Sequence, residues 1–238
     1  MGHRDRISNL PEELLLKILS SLPAKDVVVT MVLAKRWKCL WMLVPRLEFD
    51  HSMYQYDVQG SRFSRFVYSS LLLHEAPFLE SLRLKLDRGS DIGVWVKTAV
   101  KRSVRELDIE IDNPSIESLV ILPWSLYSAG CRTLVTLKLS HVTLVDASSS
   151  SPASFPTLKN LSLLSMKYPS EEFVNKVLSS CPVLEELDVE QCPDDNVTAL
   201  VVKIPSLKTL SLRKSNDTDE DEEEASGFLI DGSFFGEL

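Results

Sequence analysis

Apolar residues follow two different rhythms along this chain. In the stretch ending at Val44 they recur three and four residues apart, the spacing of one helix face. Leu14, Leu15, Ile18, Leu19 and Leu22 form a first such set, Val28, Val29, Val32 and Leu33 a second, and Trp37, Leu40, Trp41 and Val44 a third. The first helix has clear ends: Pro11 stands where a first turn tolerates proline, Glu12 and Glu13 favour the positive helix end, and Pro23 stops it. Short helices of this kind cannot bury all these side chains against one another, because so small a unit has too much surface for its volume. A face therefore remains for a partner.

From Val44 onward the period falls to two. One phrase of the form L-x-x-L-x-L returns as FLESLRLKL, VRELDIEI, TLVTLKLS, TLKNLSLL, VLEELDVEQC and SLKTLSLRK, beginning at Leu79, Val104, Leu134, Leu158, Leu184 and Leu207. The steps between copies are 25, 30, 24, 26 and 23 residues, and VPRLEF around Leu47 is a candidate leading copy. This is the period of leucine-rich repeats, whose strand is the repeated phrase. One unit cannot bury its apolar side alone, so stacked units share a continuous core. The segments FSRFVYSSLLLHE and SEEFVNKVLSSC have helical spacing and are expected to be return helices. The fold class expected is α/β: a small N-terminal three-helix module over residues 1–45, then an irregular leucine-rich-repeat solenoid with a curved parallel sheet over 46–216. Irregularity is expected because, eight residues into each copy, only Cys192 fits the Asn or Cys of the strict pattern.

The order LP, ILSSLP and KRWKCLW within LPEELLLKILSSLPAKDVVVTMVLAKRWKCLW resembles the F-box, in its plant form. Together with the irregular repeats, the chain is similar to plant F-box/leucine-rich-repeat proteins that often carry an FBD region. The resemblance implies a module that docks on the Skp-family adaptor of cullin-RING ubiquitin ligases, with Leu10, Pro11, Leu14, Ile18, Leu22, Leu33 and Trp37 at the interface. It also implies a protein substrate on the repeats, of unknown identity. Two other readings stay open: a helical cap for the repeats, and a non-degradative scaffold whose F-box engages no adaptor.

On the repeats, the residues alternating with the apolar ones are expected to line the concave face, where such arrays present binding surfaces. They include Arg83 and Lys85, then Glu106 and Asp108, Lys138, Asn160, Glu186 and Asp188, and Arg213. Runs of one sign on neighbouring strands would select a partner of complementary charge.

Composition narrows the function further. Only 8 glycines are present, which disfavours phosphate-cradling loops. The formal charge of -8 is mostly local: DTDEDEEE holds seven acids, and without it 27 acidic residues face 26 basic ones. So balanced a remainder argues against nucleic acid as a partner. Residues 217–226 are expected to be an acidic disordered linker, and 227–238 a short apolar tail that opens a further domain the chain does not complete. The serine-rich DASSSSPASFP is expected to be an inserted loop. No apolar stretch is long enough for a bilayer and no leader pattern is visible, so a membrane is not expected and the location expected is cytoplasmic or nuclear. Cys39, Cys131, Cys181 and Cys192 lack paired spacing and are expected to be free, partly buried thiols. No catalytic constellation, metal set or cofactor motif is found, so no enzyme activity and no cofactor are expected.

Overall fold

The computed structural model describes residues 7–54, 61–87, 92–112, 122, 126, 131–144, 154–191, 197, 199–214 and 227–230. The acidic run and most of the serine-rich loop lie outside the described residues, as does Cys192.

The N-terminal helices are shorter than the apolar pattern predicts. Helix α1 (Glu12–Leu19) begins directly after Pro11, whose extended backbone makes it the cap residue and not the first turn. Helix α2 (Ala24–Val29) begins in the same way after Pro23 and tightens into a 3-10 turn over Thr30–Val32. Helix α3 (Trp37–Leu40) is one turn long and continues as a 3-10 turn over Trp41–Leu43. These pieces enclose a small core of Leu15, Leu19, Val27, Trp37, Leu40 and Val44, separate from the main one.

Seven parallel strands form the main sheet: β1 (Arg46–Asp50), β2 (Ser81–Leu86), β3 (Glu106–Ile111), β4 (Thr136–Ser140), β5 (Asn160–Leu164), β6 (Glu186–Gln191) and β8 (Thr209–Lys214). They lie in chain order, each beside the previous copy, with β7 (Ala199–Val202) left out to another sheet. The register repeats without slip, so Leu47, Leu82, Leu107, Leu137, Leu161, Leu187 and Leu210 stand in one row across the sheet. A one-residue slip would turn every leucine to water, which is why alternation fixes the register so firmly.

Return segments cover the apolar face. Helices α4 (Ser61–Leu73) and α6 (Glu171–Ser179) occupy the two expected stretches, with Phe63, Val67 and Leu71, or Phe173, Val174, Val177 and Leu178, turned inward. Ser170 caps α6 by accepting a hydrogen bond from the Phe173 amide. A further helix, α5 (Ile92–Lys101), buries Ile92, Trp95, Val96 and Ala99. Trp95 meets Phe63 and Tyr68 edge to face, which joins two successive return helices through their aromatic rings.

Strand β9 (Gly227–Ile230) pairs in parallel with β7, Ala199 opposite Gly227 and Val202 opposite Ile230. It follows β8 in the chain as β7 follows β6.

Candidate functional site

Two surfaces present unusual side chains, one on the N-terminal helices and one on the sheet. On the helices, the small core divides the apolar residues by phase. Leu15 and Leu19 point inward from α1, while Leu14 and Ile18, on the same helix, remain 47% and 45% exposed. Leu33 is 64% exposed, and Val29 and Val32 near it in the chain are exposed as well. Pro11 is exposed at the head of α1, and Leu10 and Leu22 are half-buried against the small core.

Trp37 behaves differently from the other expected interface residues. It is 3% exposed, and its indole Nε1 donates to the Ser8 hydroxyl at 2.7 Å. The ring fills the module's own core and supports the surface from beneath. Among the large apolar residues missed as interface candidates are Ile7, Val29 and Val32, all well exposed. Val29 and Val32 sit in the same apolar set as Leu33, and that shared phase was the available signal.

The sheet's outward face carries the charged residues expected there, and the register sets them against one another. Arg83 stands opposite Asp108 and Lys85 opposite Glu110. Arg83 reaches Asp108 at 3.5 Å and Glu110 at 3.4 Å; Lys85 reaches Glu110 at 3.5 Å and Asp112 at 3.1 Å. Farther along, Arg213 on β8 holds Asp188 at 2.7 Å, and the Asn160 amide donates to Glu186 at 2.6 Å. Each basic row thus answers an acidic row beside it. Burial raises the Asp108 carboxyl above the ordinary range, with Arg83 and Lys138 pulling back against it. Asp112 and Glu110 hold the Lys85 ammonium above its usual range.

A second line of ion pairs, missed in the sequence, runs just ahead of the strands. Glu185 accepts from Lys159 at 2.7 Å and from Lys208 at 2.6 Å, one cation from each neighbouring repeat. Those two hydrogen bonds pull its carboxyl down to about 2. Arg46 and Glu80 form a similar bridge at 3.1 Å, which lowers the Glu80 carboxyl and raises the Arg46 guanidinium. Lys159, Glu185 and Lys208 at equivalent offsets of successive copies were the signal, legible only once the copies are stacked.

Over the outward face lies a trough of about 650 Å³, lined from β2 to β8 by residues that include Arg83, Asp108, Lys138, Asn160, Ser162 and Asp188. Among the described residues no group of three or more His, Cys, Asp or Glu side chains could hold a metal ion. Likewise, no described helix is long and apolar enough to cross a membrane.

Residues 7–49 match the F-box domain, and residues 92–226 match the family model described as FBD-associated F-box protein At5g56370, LRR repeats. The chain belongs to the FBD-associated F-box/LRR family. Among its relatives in Arabidopsis thaliana, the putative FBD-associated F-box protein At5g50270 is 55% identical over 231 residues, spanning 95% of this chain and 55% of that protein. The probable FBD-associated F-box protein At1g32375 is 53% identical over 232 residues, or 95% of this chain and 53% of that protein. F-box/FBD/LRR-repeat protein At5g56420 is 48% identical over 236 residues, or 97% and 54%. The chain spans about half the length of these curated relatives. The F-box match ends at Phe49, inside β1.

Proposed function

We propose that this chain is a non-catalytic substrate-recognition subunit of an Skp-cullin-F-box ubiquitin ligase, acting in the cytoplasm or nucleus. F-box domains in general bind Skp-family adaptors. Here the three-helix F-box docks an adaptor through Leu14, Ile18 and Leu33, while the repeats, stacked as a solenoid, hold a protein substrate on their outward face. The ligase gains proximity and orientation from this subunit, and its chemistry is carried out elsewhere.

The observation that carries this reading is the set of exposed aliphatic side chains on a module whose own core is already closed. A soluble helical unit gains nothing by leaving Leu14, Ile18, Val29, Val32 and Leu33 in water. Covering such side chains contributes roughly 1.5 to 3 kcal/mol for each one fully buried, and helix faces of this type suit an apolar groove.

The test is co-expression with an Skp-family adaptor followed by size-exclusion chromatography. A one-to-one complex is expected, lost in Leu14→Asp and Ile18→Asp with the thermal unfolding of the chain unchanged. A chain that elutes alone beside the adaptor overturns the ligase reading and leaves a repeat scaffold.

A further inference from the structure

The order of charges across the trough carries an inference about what the repeats bind, and it rests on the reading of this face as the substrate surface. In the first outward row, Glu106 on β3, Thr136 on β4, Asn160 on β5 and Glu186 on β6 stand side by side in register. The next row repeats the order as Asp108, Lys138, Ser162 and Asp188. Carboxylates on β3 and β6 therefore bracket the middle strip of the trough, whose β4 and β5 floor is neutral except for the Lys138 ammonium.

The flanking carboxylates are unequally satisfied. Arg83 answers Asp108 and Arg213 answers Asp188, both from outside the flanked strip. Among the described residues, Glu106 meets a distant guanidinium, Arg46 at 3.8 Å, and Glu186 the neutral Asn160 amide. Lys138 makes no ion pair of its own among the described residues, although it lowers the Asp108 carboxyl. Glu106 and Glu186 are thus the carboxylates with capacity for a cation from outside.

We propose that the trough recognises an extended basic segment of a protein, with two lysines or arginines four residues apart and an acidic or hydroxyl residue midway between them. The spacing follows from strand geometry. Neighbouring strands lie about 4.8 Å apart, so the three steps from β3 to β6 span about 14 Å. An extended chain advances about 3.4 Å per residue, which makes four residues nearly the same length. An even separation also points both cations toward the sheet, since side chains alternate with period two. Midway along such a segment, the facing side chain lies above the β4 and β5 floor beside Lys138, where a third cation would be repelled.

The experiment uses the full chain and a fluorescein-labelled peptide, Gly-Ser-Lys-Ser-Asp-Ser-Lys-Ser-Gly, read by fluorescence anisotropy. Binding is expected to weaken roughly three- to fivefold in Glu106→Gln and again in Glu186→Gln, the range for exposed ion pairs, and to fall with rising salt. Moving the second lysine one residue closer is expected to abolish the gain, because one cation then faces solvent. Lys138→Glu is expected to reverse the central preference from aspartate to lysine. Equal binding at both spacings, equal binding by the peptide with both lysines replaced by glutamate, or no binding at millimolar peptide overturns the inference. Asn160→Trp, which fills the trough, separates this from the broader reading. Peptides of other charge that bind and are lost in Asn160→Trp would overturn the basic-segment inference alone, whereas peptide binding indifferent to Asn160→Trp would overturn both.

Discussion

His74 at the end of α4 donates from Nε2 to the Val44 carbonyl at 2.8 Å, tying the first return helix to the residue where the F-box core meets β1. The direction of that bond is fixed by the other ring nitrogen. Arg102 approaches Nδ1 at 2.6 Å, and a guanidinium can only donate, so Nδ1 accepts and the proton sits on Nε2. Arg102 also donates to the Leu71 carbonyl, which closes a buried knot between the F-box end, α4 and the end of α5.

A second proton on His74 would remove the acceptor Arg102 needs and place two cations together. Burial lowers the His74 imidazole below its usual range, Arg102 adds to this, and the Val44 bond opposes it. The folded state therefore holds the neutral ring more strongly than the unfolded chain does. This contribution is fully present above the ordinary imidazole value of about 6.5 and is lost as pH falls from there through the lower folded value. In thermal melts, wild type should lose its advantage over His74→Gln, by a few degrees, as pH is lowered through that window. A difference between the two that stays constant with pH would remove His74 from the account.

Much of the repeat region was legible because its signal is local and periodic. Leucines at alternate positions fix which face of each strand is buried, and equal phrases stacked in order fix the register, as the unbroken row from Leu47 to Leu210 shows. Helix α5 was not among the expected return helices, although Ile92, Trp95, Val96 and Ala99 have helical spacing. Strand β7 reads as a short continuous apolar run, which periodicity alone does not separate from a helix fragment. On the F-box, spacing identified an apolar surface but not which residues close the core. Trp37 was placed at the interface by the F-box resemblance, and its distant partner Ser8 gave no local signal.

Trp37 separates support of the F-box from contact with a partner. Trp37→Phe keeps most of the packing and loses the bond to Ser8, a cost of about 1 kcal/mol. Trp37→Ala empties a core site and should cost about 3 to 5 kcal/mol. Urea unfolding is expected to show this order, with Trp37→Phe still carrying the α1 and Leu33 surface intact. Equal, small costs for both would mean that the ring is dispensable to the core.

The two described buried thiols are expected to be inert in the folded chain. Burial pushes Cys131 up to about 11 and Cys181 up to about 12, and the Cys181 thiol donates to the Val177 carbonyl. Thiolate is the reactive form, so both should resist iodoacetamide at neutral pH until urea unfolds the chain, whereas exposed Cys39 should react at once. Peptide mapping by mass spectrometry reads each site separately. Labelling of Cys131 or Cys181 at the Cys39 rate would contradict their burial.

Glu185, bridged by Lys159 and Lys208, should titrate far below a free glutamate. Its carboxyl is held at about 2, so its contribution to stability is present above the ordinary glutamate range and is lost as pH falls toward that value. Carbon-13 NMR of the carboxyl should show the low midpoint. In the double variant Lys159→Met, Lys208→Met the midpoint should return to the ordinary range. Failure to move would mean that the two lysines do not hold the carboxylate in solution.

Hydroxyl groups placed just before the first leucine of a copy form a recurrent link between repeats. Thr133 donates to the Val104 carbonyl at 3.0 Å, Thr157 to Leu134 at 2.8 Å and Ser206 to Leu184 at 2.7 Å. Each acceptor belongs to the first apolar residue of the preceding copy, so the bond crosses from one repeat to the next at the same place. Thr157→Val preserves shape and removes the donor, at an expected cost of about 1 kcal/mol in urea unfolding. Thr157→Ser keeps the donor and should recover most of that loss. If the serine and valine variants are equally destabilised, the methyl packing and not the hydroxyl is what joins these repeats.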